Sequence, residues 1–147
     1  MEIINREARF NYLVLEEIEA GIVLTGTEIK SIRDGKAQIK DSYANIRNNE
    51  CYLLNMHINE YKEGNLFNHD PKRTRKLLLH KSEIKKLIDK VKIEGLTLVP
   101  LKVYFKKNKV KVLIGVCKGK KLFDKRESIK ERDLAREARK NQKYNFK

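Results

Sequence analysis

A short basic run, Pro71-Lys-Arg-Thr-Arg-Lys76, carries residue types that bind a sugar–phosphate backbone. Each guanidinium presents a planar fork of N–H donors to phosphate oxygens, and a hydroxyl group stands between the two forks. The sequence therefore predicts nucleic-acid contact by four residues of this run: Arg73, Thr74, Arg75 and Lys76.

Two further groups of cations precede residue 118. One group lies in and after a predicted short helix and comprises Lys30, Arg33, Lys36 and Lys40. The other decorates the last predicted hairpin and comprises Lys102, Lys106, Lys107, Lys109 and Lys111. Surface lysines also keep proteins soluble, so for the hairpin both interpretations stay open. In the helix group we predict RNA contact by Lys30, Arg33 and Lys36.

The stretch from Lys118 to Lys147 is the most basic part of the chain and holds about half of its formal net charge of +14. Its few apolar residues form no stripe at helical spacing, so a helix here would bury little against the rest of the protein. A basic segment of this kind is most simply explained by an anionic partner, and RNA is the leading candidate. The sequence predicts a tail, residues 122–147, that is disordered when free.

An aromatic ring marks the start of this tail. Phe123 stands beside Asp124-Lys-Arg126, and a ring flanked by cations can stack on an unpaired base. Alternatively, Leu122 and Phe123 only dock the start of the tail on the folded domain.

Signals for catalysis are missing from the sequence. His57, His69 and His80 have no partners at metal-ligand spacing, and the two cysteines form no C-x-x-C pair. No phosphate-binding glycine loop and no nucleophile elbow is present. Glu17 and Glu19 would share a strand face, but solvated carboxylates explain them better than nuclease metal ligands. We therefore expect no enzyme, no metal, no cofactor and no small-molecule substrate.

The composition bounds the fold class. The chain has 147 residues, of which 37% are charged and 40% hydrophobic, so the core is small. No apolar run approaches the roughly 18 residues of a membrane span, and no signal region is evident. Cys51 and Cys117 lie in predicted strands and are expected to be buried free thiols rather than a disulfide. These features favour a cytoplasmic protein.

The hydrophobic pattern predicts a mainly β domain. We expect strands at 12–18, 43–47, 51–58, 96–105 and 110–117, with a shorter one at 76–80. Residues 21–24 either continue the first strand or pair with it. Thr25 and Glu28 form a capping box before a short helix that Gly35 ends, and Ser82 caps a longer helix that Gly95 ends. Such strands fit a small closed antiparallel barrel with two or three accessory helices, because closure removes exposed edges. The predicted domains are 1–121, the barrel, and 122–147, the tail.

The chain resembles the SsrA-binding protein family, also called small protein B, whose members are bacterial partners of transfer-messenger RNA. The resemblance rests on several motifs in the same order: Asn5-Arg-Glu-Ala8 with Tyr12, Glu19-Ala-Gly21, Gly26 to Arg33, Asp41-Ser-Tyr43, Asp70 to Leu79, Ile114 to Lys121, Asp124-Lys-Arg126 and Ile129-Lys-Glu-Arg132.

The resemblance implies an oligonucleotide-binding-type barrel that binds the tRNA-like domain of transfer-messenger RNA and carries it to stalled ribosomes. Asn5, Glu19 and the pair Leu78 and His80 match positions where the family contacts this RNA, and Arg6 and Tyr12 lie in the matched motifs. The tail is then expected to occupy the decoding centre and the empty messenger channel, in contact with small-subunit ribosomal RNA. The residues expected to bind the ribosome are Lys118, Lys120, Lys121, Phe123, Asp124, Lys125, Arg126, Lys130 and Arg132.

Two other functions remain as alternatives. A generic ribosomal-RNA-binding assembly or initiation factor would share the charge pattern, but it has no reason to keep Asn5 and Glu19 together with the other matched segments. An RNA-processing enzyme would need a catalytic cluster that the sequence lacks. We expect a protein that is monomeric when free and that binds no membrane.

Overall fold

The computed structural model describes residues 1–63 and 68–119. Its strands in chain order are β1 Glu2–Ile4, β2 Tyr12–Ile22, β3 Ala37–Gln38, β4 Tyr43–Arg47, β5 Glu50–Leu54, β6 His57–Ile58, β7 Arg75–Leu78, β8 Thr97–Lys106 and β9 Lys109–Gly119. Its helices are α1 Ala8–Asn11, α2 Gly26–Arg33 and α3 Lys81–Lys92. The predicted tail lies outside the described residues.

The main sheet closes on itself. Its strand order is β1-β8-β4-β5-β7-β2-β9, and β8 also pairs with β9, so the strands from β8 to β9 form a ring. Every pairing in this ring is antiparallel. Strand β1 adds to β8 outside the ring, and β3 pairs with β6 in a separate small sheet. The predicted mainly β antiparallel barrel with two or three accessory helices is therefore confirmed.

The barrel interior is filled by aliphatic side chains from opposite walls. Leu53, Val103, Val112 and Ile114 are fully buried in one cluster, which Ile32 of α2 and Leu87 of α3 join. Ala8 of α1 packs outside the barrel in a second cluster that contains Cys117. Cys51 and Cys117 are buried free thiols, as predicted. Burial raises the pKa of each to about 11, so both thiols stay protonated at neutral pH.

The helix boundaries agree with the predictions in one case and differ in the other. Thr25 and Glu28 form the predicted capping box of α2, and Gly35 follows that helix with a φ of +73°. Helix α3, however, begins at Lys81, so Ser82 lies inside it and does not cap it. His80 occupies the cap position, because its backbone N–H donates to Oε1 of Glu83 at 2.9 Å.

The strand boundaries show one clear error. The predicted strand at 51–58 is two strands, β5 and β6, because Asn55 adopts a φ of 60° between them. For residues 21–24 the structure confirms the first of the two possibilities, because β2 continues without a break from Tyr12 to Ile22. No helix in the described residues is both long and apolar enough to cross a membrane.

Candidate nucleic-acid interface

A groove of about 710 Å³ lies where β2, β9 and the junction between β7 and α3 meet. Its walls include Glu19, Leu78, His80, Lys109 and Lys111. Gly21 pairs with Leu78 on one side and with Lys111 on the other, so this position of β2 connects the two walls. A side-chain carbon at Gly21 would lie 3.2 Å from the Cβ atom of Leu78, so a larger residue would crowd the groove.

Glu19 is one of two acidic residues, with Glu83, that line the groove. The hydroxyl of Tyr104 donates a hydrogen bond to its Oε2 atom, and Nζ of Lys106 lies 3.4 Å from its Oε1 atom. The hydrogen bond from Tyr104, together with the nearby charges of Lys106 and Lys111, lowers the pKa of Glu19. The carboxylate is therefore charged at neutral pH and accepts hydrogen bonds without donating any.

Leu78 and His80 supply the opposite wall. Leu78 is 52% exposed although it belongs to a barrel strand. The His80 side chain is also exposed, at the start of α3. The structure thus brings Glu19, Leu78 and His80 together, and it places Lys109 and Lys111 of the last hairpin beside them. These are side chains that could contact a sugar, a base and a phosphate in one ligand.

Arg75 does not lie on this surface. Its side chain is 0% exposed, and its Nε atom donates to Oε2 of the equally buried Glu28. Its Nη1 atom donates to the carbonyl of Met56 at 2.7 Å, and its Nη2 atom to that of Pro71 at 3.1 Å. All three guanidinium nitrogens thus bind within the protein. The predicted RNA contact by Arg75 does not fit this position, and its role in the fold is structural.

The other members of the basic run are exposed to different degrees. Arg73 is 35% exposed and donates through Nη2 to Oε1 of Glu28 at 2.6 Å. Thr74 is exposed. Lys76 is half-exposed and pairs with Glu50 at 2.9 Å on the outer face of the barrel. Part of this run is therefore tied to acidic partners of the fold, and Thr74 is its most accessible predicted contact.

The cations of α2 and the loop after it are exposed. The Nζ atom of Lys30 lies 5.4 Å from the centre of the Tyr61 ring, and the guanidinium carbon of Arg33 lies 5.3 Å from that of Phe105. Lys36 is exposed beyond the helix end. These contacts orient Lys30 and Arg33 while leaving their charged groups at the surface.

Asn5 and Tyr12 lie in a different place from Glu19. They line a second pocket of about 290 Å³, together with Lys40 and Tyr43, that shares no lining residue with the groove. Asn5 is only 7% exposed, and its Nδ2 atom donates to the carbonyls of Ile39 at 3.2 Å and Pro100 at 3.0 Å. Within the described part of the chain its Oδ1 atom is buried without a hydrogen-bond partner. Neighbouring Arg6 is exposed.

The predicted ribosome contacts are mostly outside the described residues. Lys118 is exposed in β9, where it pairs with Leu13 of β2. The predicted contacts that lie outside the described residues are Lys120, Lys121, Phe123, Asp124, Lys125, Arg126, Lys130 and Arg132.

Two side chains that support the groove are missing from the residues predicted as RNA contacts. Tyr104 and Lys106 hold Glu19, yet neither stands near it in the sequence. Cross-strand pairing in the last hairpin places Tyr104 opposite Lys111, which is the signal that could have linked Tyr104 to the groove. In residues 1–63 and 68–119 no group of histidine, cysteine and acidic side chains is arranged to hold a metal ion.

Comparison with known proteins extends over nearly the whole chain. The SmpB protein family matches residues 2–144. The SsrA-binding protein of Acetivibrio thermocellus is 57% identical over 143 residues, which cover 97% of this chain and 93% of the relative. The SsrA-binding protein of Trichodesmium erythraeum is 62% identical over 130 residues, which cover 88% and 83%.

A solved structure gives the same result. The chain described as "tmRNA-SmpB: a journey to the center of the bacterial ribosome" superposes with a TM-score of 0.69 at 50% sequence identity, and the match covers 82% of this chain and 85% of that one. The matching residues, the degree of identity and the shared barrel agree with one another. This chain belongs to the SmpB protein family.

Proposed function

We propose that this protein binds the tRNA-like domain of transfer-messenger RNA and delivers it to stalled ribosomes for trans-translation. Its relatives at 57% and 62% identity are named SsrA-binding proteins, and its structural neighbour belongs to a complex of transfer-messenger RNA and SmpB with the ribosome. It acts by binding RNA and not by catalysis. We place it in the cytoplasm, as a monomer when free.

The groove between Glu19 and Leu78 is the observation that carries the proposal for this chain. It combines a charged acceptor, an exposed aliphatic surface and two flanking lysines within one cavity. Lysines bind phosphates of any sequence, whereas an ionised carboxylate repels phosphates and accepts hydrogen bonds from base or sugar donors. Such a groove suits a folded RNA that is gripped by its backbone and also read at one or two nucleotides.

The exposure of side chains supports our proposal of the contact residues. For transfer-messenger RNA we propose Glu19, Leu78 and His80 in the groove, and around it Lys30, Arg33, Lys36, Arg73, Thr74 and Lys76. We propose a second RNA-facing surface around the separate pocket, to which Arg6 and Tyr12 contribute accessible side chains, whereas the buried Asn5 supports this surface through its hydrogen bonds to Ile39 and Pro100. Arg75 is left out, since it is buried.

We further propose a division of labour along the chain. The barrel of residues 1–121 holds transfer-messenger RNA, while the tail of residues 122–147 enters the decoding centre and the empty messenger channel. A basic segment with little to bury binds ribosomal RNA without a base code. Messenger RNA in the channel would exclude it, so the tail would enter only on stalled ribosomes.

Capture of bound RNA tests the function. The full chain, purified under mild salt from a bacterium that contains transfer-messenger RNA, should carry that RNA as one abundant species. A mixture dominated by ribosomal RNA fragments would instead support an assembly or initiation factor. Lys92→Ala serves as the control, because it removes one exposed charge at the far end of α3 and should leave the captured RNA unchanged.

A further inference from the structure

A ladder of side chains crosses the outer face of the barrel beside the groove. Strands β8, β9 and β2 run side by side here, with Tyr104 opposite Lys111 and Glu19 opposite Leu113. The Tyr104 side chain reaches past β9 to donate its hydroxyl to Glu19. Two strands of the barrel that are not paired with each other are thus connected at the rim of the groove.

The Tyr104 ring is itself held in place. The Nζ atom of Lys102 lies 5.1 Å from the ring centre and 3.5 Å from Oε1 of Glu2. Burial, and then the hydrogen bond to Glu19, raises the pKa of Tyr104 to about 12. The phenol therefore keeps its proton at neutral pH, and it is the donor in the contact with Glu19.

The contact restricts what Glu19 can do. Tyr104 occupies its Oε2 atom from one side, and Lys106 lies near its Oε1 atom at 3.4 Å. A carboxylate has about four acceptor positions, so positions remain for the groove that Glu19 lines. Held in this orientation, the carboxylate does not need to lose rotamer freedom when RNA binds.

We propose that Tyr104 is a positioning residue, which fixes the Glu19 carboxylate so that it accepts a hydrogen bond from a donor group of the bound RNA. This inference rests on the proposed function. The donor is a 2′-hydroxyl or a base N–H, while Lys109 and Lys111 take the flanking phosphates. Tyr104 thereby affects which RNA is bound without touching it.

Tyr104→Phe tests the proposal in the full chain, because it deletes the hydroxyl and keeps the ring beside Lys102. Affinity for transfer-messenger RNA should fall by up to about tenfold, because a Glu19 side chain that Tyr104 no longer holds has to be immobilised when RNA binds. The dependence of that affinity on salt should stay unchanged, because no phosphate contact is lost. Glu19→Gln should weaken binding at least as much, and the double variant no more than Glu19→Gln alone.

Tyr52→Phe is the matched control. The Tyr52 hydroxyl also donates to a glutamate, Glu50, at 2.7 Å, and that glutamate also pairs with a lysine, Lys76. None of the three residues lines the groove, and Tyr52→Phe leaves both members of the ion pair between Glu50 and Lys76 in place. Loss of the Tyr52 hydroxyl should leave affinity for transfer-messenger RNA at the wild-type value. Melting temperatures should show that every variant is folded.

The outcomes separate the inference from the function on which it rests. If Glu19→Gln weakens binding and Tyr104→Phe does not, the positioning role is wrong while the groove remains the RNA site. If Glu19→Gln has no effect, Glu19 is not an RNA contact. The positioning role of Tyr104 and the groove as the RNA site are then both wrong. A reduced salt dependence in Tyr104→Phe would also overturn the inference, since it would mean that Tyr104 acts through the cations.

The two donor sources can be told apart with the same proteins. Transfer-messenger RNA carrying single 2′-deoxy substitutions should show a position that weakens binding to the wild type but not to Glu19→Gln if the donor is a hydroxyl. If the donor is a base N–H, replacing a guanosine by inosine, or an adenosine by the unsubstituted purine nucleoside, should instead weaken binding to the wild type but not to Glu19→Gln. If no substitution of either kind distinguishes the two proteins, Glu19 accepts no RNA donor and the proposal is wrong.

Discussion

Glu28 and Arg75 form an ion pair in which neither side chain is exposed to solvent. The same carboxylate accepts the backbone N–H of Thr25 at 2.8 Å and Nη2 of Arg73 at 2.6 Å. One glutamate thus caps α2, holds β7 and anchors the basic run. Buried charges of this kind are tolerated because each is paired and hydrogen-bonded.

Removing the arginine of this pair should destabilise the fold. Arg75→Ala leaves the charge of Glu28 buried without its one fully buried cationic partner, and we expect a loss of about 3–5 kcal/mol in the free energy of unfolding. Urea denaturation measures it. Lys72→Ala is the control, because Lys72 is exposed in the same run and its replacement should cost little. An Arg75→Ala protein of wild-type stability that binds RNA weakly would contradict the structural role.

Glu28 should also make the free energy of unfolding depend on pH in the acid range. Burial alone would raise the pKa of Glu28, but hydrogen bonds from Arg73, the Thr25 backbone and Arg75 outweigh it and lower the pKa below the ordinary value. Because the pKa is lower in the folded state, the stabilisation is present above the ordinary value of 4.5 and is lost as the pH falls through the folded value.

Denaturant midpoints measured from about pH 6 down to about pH 3 show the effect as a decline in stability. Glu28→Gln should be less stable at neutral pH and should decline less steeply, because it lacks the titrating group. Parallel curves for the two proteins would mean that other carboxylates account for the acid sensitivity. Glu50, which accepts a hydrogen bond from Tyr52, is one such group whose pKa is also lowered.

The lysines of the groove should contribute to the salt dependence of RNA affinity. Lys111→Ala is expected to weaken RNA binding and to lower the slope of log affinity against log salt by about one, as for the loss of one phosphate contact. Leu78→Ala should weaken binding with an unchanged slope, since it removes an apolar surface. Fluorescence titrations at several salt concentrations give both values. Identical slopes for wild type and Lys111→Ala would place the phosphate elsewhere.

Truncation after Lys121 should separate two activities. The remaining barrel keeps the groove and should bind transfer-messenger RNA, whereas tagging of nascent chains on stalled ribosomes should fail without the tail. Gel-shift and reconstituted tagging assays on the same protein compare the two. If the folded truncation lost RNA binding as well as tagging, the barrel and the tail would not have separate roles.

The predictable parts of this fold depend on local patterns. The alternation of Val110, Val112 and Ile114 predicts a half-buried strand, and these side chains do fill the barrel. The spacing of Thr25 and Glu28 predicts the cap of α2 because both ends of a capping box lie within one turn. Such signals need no knowledge of the rest of the chain.

The role of Arg75 could not be predicted from the charge of its neighbours. Its partner Glu28 is 47 positions away and faces it only once α2 lies across the barrel. One local signal was present: Arg75 lies two residues before the buried Leu77, and residues at this spacing share a face of a strand. Where a basic run enters a strand, alternation decides better than charge which side chains face the solvent.

The residues that form the groove could not be grouped from local sequence patterns either. Glu19 and Leu78 come from distant segments that pair only through the register of β2 and β7. Residue types suggested RNA binding, but only the closed barrel shows that Asn5 lies in another pocket. Sites made of several strands depend on long-range pairing, which no short motif encodes.

The most direct test of the central claim is a comparison of two RNAs at the same salt concentration. The full chain should bind transfer-messenger RNA much more tightly than a structured RNA of equal length, and Glu19→Gln should remove most of that preference while background binding through the lysines persists. Equal affinity for both RNAs, unchanged in Glu19→Gln, would show that bulk positive charge and not the groove carries the binding.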